Sequence, residues 1–278
     1  MAHNGFPIVR CSICSLMFAI VPPGYDLTAV YADDAYWNGG CDYGYADYDQ
    51  AWRDARRLLL GRLDRLQEMR PPGRMLEIGC AAGYFLREAG LRGWQVCGVE
   101  VSPTMRRRSE EVARCRVSAS MKDVADDELP FDCVAMFEVI EHLDEPLGFL
   151  KQVRAMMNPG AVLTLSTPNF SAPQAFRDRQ NYHWFSPPAH VTYFTPATLR
   201  DCVLRAGFEA VEIAGVLEGE EMPLPRVLML ALAPFRQGRR LRPGGLLGKL
   251  IKNWQHRRHD LLSWSNSMEV FARNPGAI

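Results

Sequence analysis

Three groups of residues in this sequence have types and spacings that suit chemistry. The first is Glu77-Ile78-Gly79-Cys80-Ala81-Ala82-Gly83. Two glycines with small residues between them let a backbone turn sharply and approach a ligand closely. An acid, Glu100, follows 21 residues after Gly79, where it can accept both ribose hydroxyls of a nucleoside. A dinucleotide fingerprint would need G-x-G-x-x-G, and Cys80, Ala81, Ala82, Gly83 do not supply it. The second group is Glu138, Glu141 and His142 with the distant His190. The two histidines have unperturbed pKa values suited to general-base work, and the two acids could orient them. The competing reading makes His142 a helix cap and Glu141 a solvated acid. The third group is Cys11-x-x-Cys14. One pair cannot complete a tetrahedral metal site, and no strand–helix context suggests a redox pair.

These residues need elements to hold them. Met75 to Ile78 reads as a strand, Tyr84 to Leu91 as a helix, and Gln95 to Val99 as a strand. Pro103 to Ala113 reads as a helix capped by Ser102 with Pro103 at its first position. Phe131 to Phe137 is predicted as a strand, Pro146 to Met157 as a helix, and Ala161 to Ser166 as a strand. Thr195-Pro196 opens a helix to Ala206, and Phe208 to Ala214 and Met268 to Ala272 are further strands. Strands alternating with helices imply a parallel sheet covered on both faces. Upstream, Tyr48 to Met69 has helical spacing, residues 25–48 form an irregular tyrosine-rich cover, and residues 1–23 are a short extended piece.

The chain has 278 residues, 47% hydrophobic and 23% charged, which excludes disorder over most of its length. No apolar run approaches the ~18 residues of a membrane span, and residues 1–20 lack the layout of a secretory signal. Eight scattered cysteines suit reduced thiols, so a cytoplasmic protein is expected. The net charge of zero conceals a basic window, residues 224–259, with nine Lys or Arg and no acid.

The glycine loop resembles motif I of the class I S-adenosylmethionine-dependent methyltransferases, with Ala81 in place of the more usual central glycine. The resemblance extends to Phe131-Asp132-Cys133-Val134, Glu138-Val139-Ile140-Glu141-His142, Asn158-Pro159-Gly160 and Leu163 to Asn169. Pro187-Pro188-Ala189-His190, Tyr193-Phe194-Thr195 and Ala206-Gly207-Phe208 resemble a bacterial subgroup related to ubiquinone-type O-methyltransferases. It covers roughly residues 8–217 and the last strand. The resemblance implies an α/β fold: a doubly wound, mostly parallel seven-stranded Rossmann-like sheet, with a helical insertion before an antiparallel last strand. It divides the chain into a zinc-ribbon-like piece (1–24), the cover and first helix (25–70), the core (71–217), a basic helical insertion (218–263) and the last strand (264–278).

The resemblance implies S-adenosylmethionine as cofactor, with Glu77, Gly79, Cys80, Ala81 and Gly83 around its methionine part. Glu100 would hold the ribose and Val101 the adenine, with Ser120 near the adenine or Asp123 in its stead. Phe137 and Glu138 would lie near the sulfonium. His142, His190 and Glu138 are the catalytic candidates. Glu138, Glu141, His142 and His190 also match the set that holds a divalent metal in small-RNA 2′-O-methyltransferases, and two carboxylates with two imidazoles suit such an ion. Relatives have a second cysteine pair upstream of the one here, so Cys11 and Cys14 read as a degenerate or truncated ribbon, a late start, or a site finished by Cys41. Tyr31, Tyr36 and Tyr48 read as packing residues or as contacts to the cofactor.

The expected activity is therefore methyl transfer to a small hydroxylated acceptor, a sugar or glycan intermediate, by O-methylation. The rivals are an RNA 2′-O-methyltransferase using a divalent metal, weakened because no RNA-binding domain accompanies it, and a non-catalytic cofactor-binding partner protein. The basic window has three readings: a helical hairpin packed on the domain, a peripheral membrane helix with Trp254 at the interface serving a lipid-linked acceptor, or a phosphate grip through Arg239, Arg240 and Arg242.

Overall fold

A computed structural model of the protein describes residues 2–41, 44–178, 182–216 and 267–276. The basic window, with its hairpin, membrane and phosphate readings, lies outside the described residues.

The central sheet has seven strands: β4 (Arg74–Ile78), β5 (Gln95–Val99), β6 (Val117–Ser118), β7 (Phe131–Phe137), β8 (Met157–Pro168), β10 (Glu209–Val216) and β11 (Ser267–Arg273). Their spatial order is β10-β11-β8-β7-β4-β5-β6. β4 to β8 pair in parallel, and β11 runs antiparallel between β8 and β10. From β4 the chain moves outward through β5 and β6, then returns to the other side of β4 with β7. The order reverses there, and open α/β sheets bind ligands at the carboxyl ends of strands flanking such a point.

Alternation along β4 and β7 builds both cores. Leu76, Ile78, Val134 and Met136 face one way, packing with Leu150 and Val153 of α5 (Pro146–Ala155) and Leu199 and Val203 of α7 (Pro196–Arg205). Met75, Cys133 and Ala135 face the other way, against Leu63 and Leu66 of α2 (Tyr48–Met69) and Phe85 and Ala89 of α3 (Tyr84–Leu91). Burial on both faces explains why β7 reads as an apolar run with one acid, Asp132. α4 (Pro103–Ala113) starts as its sequence requires, with the Met105 N–H donating to Ser102 Oγ at 3.3 Å.

Several boundaries move by one or two residues, as where β10 runs Glu209–Val216 rather than Phe208 to Ala214, and the largest shift is at the start of β8. The helix after Pro146 ends at Ala155 rather than Met157, and β8 begins at Met157 rather than Ala161. Phe131 pairs with Met157 and Cys133 with Val162, so Asn158-Pro159-Gly160-Ala161 bulge opposite Asp132 inside the strand rather than forming a turn before it. β6 has two residues, too few for a period-2 signal.

The N-terminal piece is a second sheet. β1 (Ala2–His3), β2 (Phe6–Arg10) and β3 (Met17–Ala19) form antiparallel ribbons, and β3 pairs with β9 (Thr192–Tyr193). Ile8 and Ala19 pack with Phe170, Tyr182, Phe185, Val191 and Tyr193, so residues far apart in the chain share one core. The cover contains the single-turn helix α1 (Ala29–Ala32) and a 3-10 turn, Asp34–Trp37. The short helix α6 (Pro173–Asp178) follows β8. Among the described residues, no helix is long and apolar enough to cross a membrane.

Candidate active site

A cavity of about 440 Å³ opens at the carboxyl ends of β4, β5 and β7, walled on its far side by the cover. Gly79, Ala81, Glu100, Val101 and Ser120 line it from the β4–β6 side. Phe137, Glu138 and His142 line it from β7 and the turn that follows, and Tyr31, Tyr36, Trp37, Tyr45 and Tyr48 from the cover and the start of α2.

The glycine loop leaves β4 in left-handed conformations. Gly79 has φ +70°, Ala81 +44° and Gly83 +74°. Ala81 holds a conformation that costs an L-residue about 1–2 kcal/mol, and its N–H donates to Glu100 Oε2 at 2.8 Å. Ser102 N–H donates to Glu100 Oε1, also at 2.8 Å. Glu100 thus ties the loop to the end of β5, and each oxygen keeps a lone pair for a hydroxyl. Burial pushes its pKa up, and those two N–H bonds pull the other way.

Glu77, Cys80 and Gly83 stand behind the loop and do not line the cavity. Glu77 is buried, its Oε2 has no partner, and burial followed by the charge of Glu100 holds its pKa well above the carboxylate range. Cys80 Sγ lies 3.4 Å from Ser109 Oγ. A Cβ at Gly83 would collide with the Ser109 backbone, so this glycine lets α3 and α4 pack together. Ser120 sits at the rim, its hydroxyl donating to Asp123 Oδ2 at 2.8 Å.

The other end of the cavity is assembled from distant segments. β7 stops at Phe137, and Glu138 turns the chain with φ +52°, a left-handed residue of the kind that gathers at functional sites. A 3-10 turn, Ile140–His142, follows. The Val191 N–H donates to the Glu141 carbonyl at 2.9 Å, and Thr192 Oγ1 donates to the Leu143 carbonyl at 2.6 Å. These bonds, with the pairing of β3 and β9, bring His190 beside His142, with ring centroids 4.8 Å apart. One ligand atom each from Glu141, His142 and His190 lies within 4.8 Å of the others, the one such group of three found among the described residues. Glu138 stays outside it, accepting from Ser166 Oγ at 2.7 Å. Cys11, Cys14 and Cys41 form no such group among the described residues.

Glu141 is fully buried, not solvated, and His142 ends its turn without capping a helix. Glu141 Oε2 accepts from Thr167 Oγ1 at 2.9 Å, while Oε1 has no partner. Burial, then the charge of Glu138, pushes the Glu141 pKa well up. Burial lowers His142 to about 4 and His190 to about 3. Nδ1 of His190 lies 2.9 Å from the Trp184 carbonyl, and Nδ1 of His142 lies 2.7 Å from the Ala189 carbonyl. Carbonyls only accept, so both rings carry their proton on Nδ1 and keep the Nε2 lone pair.

A methyltransferase domain family model matches residues 51–213. The chain belongs to that family. The ubiquinone biosynthesis O-methyltransferase of Cereibacter sphaeroides is 28% identical over 161 residues, 52% of this chain and 63% of that protein. The enzyme of the same description from Azorhizobium caulinodans is 28% identical over 156 residues, 52% of this chain and 62% of that protein. The chain thus spans less than two thirds of the length of these relatives. A SAM-dependent methyltransferase structure from Archaeoglobus fulgidus superposes with a TM-score of 0.55 at 21% identity, covering 81% of this chain and 97% of that one. A Thermotoga maritima structure, a possible histamine N-methyltransferase, gives 0.53 at 17% identity, covering 82% and 94%. They share the fold of this chain.

Sequence reasoning missed the partners of Tyr31 and Thr167. Tyr31 Oη lies 2.6 Å from His142 Nδ1, and Thr167 holds Glu141. Neither contact has a spacing signal, since each joins segments far apart in the chain.

Proposed function

We propose that the protein transfers a methyl group from S-adenosylmethionine to a hydroxyl of a small acceptor, a sugar or glycan intermediate. The observation that carries this reading is that one cavity joins the Gly79–Glu100 loop to His142 and Glu138. The cavity suits the cofactor: Glu100 would offer two oxygens to the ribose, Gly79 admits close backbone approach, and Val101 and Ser120 line the same cavity as candidates for the adenine. The aromatic wall suits a sulfonium and a flat ring alike. O-methylation is also what the names of the curated relatives describe.

Methyl transfer is an in-line displacement: the acceptor oxygen forms its bond to carbon as the sulfur–carbon bond breaks. Positioning carries much of the rate, and the acceptor must lose a proton. An imidazole with a pKa near 4 or 3 is a weak base for a hydroxyl at neutral pH. Two neutral imidazoles and the buried Glu141 carboxyl, with one ligand atom each within 4.8 Å of the others, fit a divalent cation better. Glu141, His142 and His190 would hold it, and when bound it would lower the pKa of an acceptor hydroxyl. Glu138, in the cavity wall, would take the proton or orient the acceptor.

The test is methyl release from labelled S-adenosylmethionine across sugar nucleotides, lipid-linked sugars and short RNAs, with and without EDTA. Turnover on sugars, lost in EDTA and restored by Mg²⁺, Mn²⁺ or Zn²⁺, is the expected result. Full activity in EDTA removes the metal, and turnover on RNA alone replaces the acceptor class.

A further inference from the structure

Tyr31 belongs to the cover, and its ring lines the cofactor cavity with Leu27, Thr28 and Tyr36. Its hydroxyl is engaged with protein groups. It donates to the Ala189 carbonyl at 2.8 Å and lies 2.6 Å from His142 Nδ1, while the same carbonyl lies 2.7 Å from Nδ1. Three polar atoms from three separated segments close a triangle. Only one arrangement of its two protons avoids opposed lone pairs. The Nδ1–H points at the carbonyl and the phenol oxygen, and the phenol proton points at the carbonyl.

We infer that Tyr31 is a positioning residue: its hydroxyl pins His142 to the loop that carries His190, and it does so from the segment that walls the cofactor cavity. The alignment of His142 therefore depends on the cover being seated, which links cofactor occupancy to readiness at the acceptor end. The inference rests on the proposed role of His142 and His190 toward the acceptor, but its geometry can be tested without an acceptor. Bonds from a neighbouring group to the far nitrogen of a ligating or reacting imidazole fix its tautomer and ring orientation.

Tyr31→Phe keeps the ring, including its edge contacts with Tyr36 and His142, both at 5.0 Å between centroids. S-adenosylhomocysteine titration of the variant confirms that the cavity is intact. In ¹⁵N-histidine-labelled protein, the His142 Nδ1–H of the wild type should exchange slowly with solvent, and more slowly still with S-adenosylhomocysteine added. In Tyr31→Phe it should exchange about tenfold faster, the scale of one lost hydrogen bond, and added S-adenosylhomocysteine should no longer protect it. Affinity for Mn²⁺ should fall ~10-fold. Unchanged exchange in Tyr31→Phe overturns the inference even if the wild type binds Mn²⁺. Faster exchange in a protein that takes up no Mn²⁺ or Zn²⁺ supports the inference and removes the metal from the proposed function. Exchange in the wild type that ignores S-adenosylhomocysteine overturns the link to cofactor occupancy.

Discussion

The two ends of the cavity are built by different rules. The cofactor end comes from one stretch, β4 to β6, in which each strand hands its chain to the next helix and every functional group sits at a strand's carboxyl end. The acceptor end is stitched together: Tyr31 from the cover, Glu138 to His142 from the turn after β7, and His190 from a loop held by an N-terminal ribbon. Local rules of turn, cap and alternation fix the first end. The second exists only once long-range bonds, such as Val191 N–H to the Glu141 carbonyl, have formed. Chemistry common to a family can therefore lie in contiguous sequence, while the part facing the acceptor can vary by segments.

The ends meet at Gly79, and there the contrast breaks most sharply. A Cβ on Gly79 would lie 2.6 Å from Val139 Cγ2, in the turn that carries Glu138 and His142. Gly79→Val adds left-handed strain for a β-branched residue and crowding, at ~1–3 kcal/mol each. Loss of S-adenosylmethionine binding in calorimetry and a lower unfolding midpoint are expected. Binding at wild-type affinity would detach the loop from the cavity.

Glu100→Ala acts on the cofactor end alone. It removes the acceptor for the Ala81 and Ser102 N–H groups and the oxygens offered to the ribose, costing ~1–3 kcal/mol. Cofactor affinity should fall by about 10–100-fold while the Nδ1–H signals of His142 and His190 stay in place. If those signals move as much as the affinity does, the two ends are not independently built.

What could be read in the sequence follows the same division. α3, α4, β5 and β7 have their predicted ends because Gly83, Ser102-Pro103 and alternating apolar residues state them locally. The first and last strands of the β4–β7 neighbourhood, with Gly79 and Glu100, needed nothing distant. β8 starts earlier than its sequence predicts because Asn158-Pro159-Gly160 has turn chemistry, and only its pairing with β7 makes it a bulge. At the acceptor end the sequence supplied the residue types but not their company. Glu141 looks solvated beside His142, and no local feature tells that Thr167 and Val191 bury it. Tyr31 is one of several cover tyrosines until the fold sets it against His142. Glu77 sits in the loop motif yet faces away from the cavity, because alternation along β4 turns it into the layer between the strand and α3.

Two histidines at the acceptor end make stability rise with pH, against buried acids such as Glu77 and Glu141, whose raised pKa values act in the opposite sense. His142 and His190 have folded pKa values of about 4 and 3, lowered by burial, against about 6.5 unfolded. Between those values the unfolded chain binds protons that the folded one does not, so this contribution is intact above pH ~6.5 and is lost as pH falls. Each histidine contributes a slope of up to ~1.4 kcal/mol per pH unit within its window. Urea unfolding of the metal-free wild type and of His190→Asn from pH 7 to 5 isolates it as a difference, the wild type losing more stability than the variant as pH falls. A variant as pH-sensitive as the wild type would place the titration elsewhere.

The smallest effects compare one device used at both ends. Ser102 and Thr195 each cap a helix with proline at its first position, accepting from the N–H groups of Met105 at 3.3 Å and Thr198 at 3.2 Å. Either residue changed to alanine should lose about 1 kcal/mol of stability, read as a downward shift of ~2–4 °C in unfolding midpoint for a domain of this size. Their functional consequences should differ. The backbone N–H of Ser102 is bonded to Glu100, so a loosened first turn of α4 should weaken cofactor affinity by a small factor. Thr195 lies past β9, beyond His190, and its cap touches no residue that lines the cavity, so Thr195→Ala should bind S-adenosylmethionine as the wild type does. Equal losses of cofactor affinity would mean that the strain of a frayed helix spreads through the whole sheet. Equal stability losses with unequal affinities would show that the cofactor end depends on the fit of its own local turns.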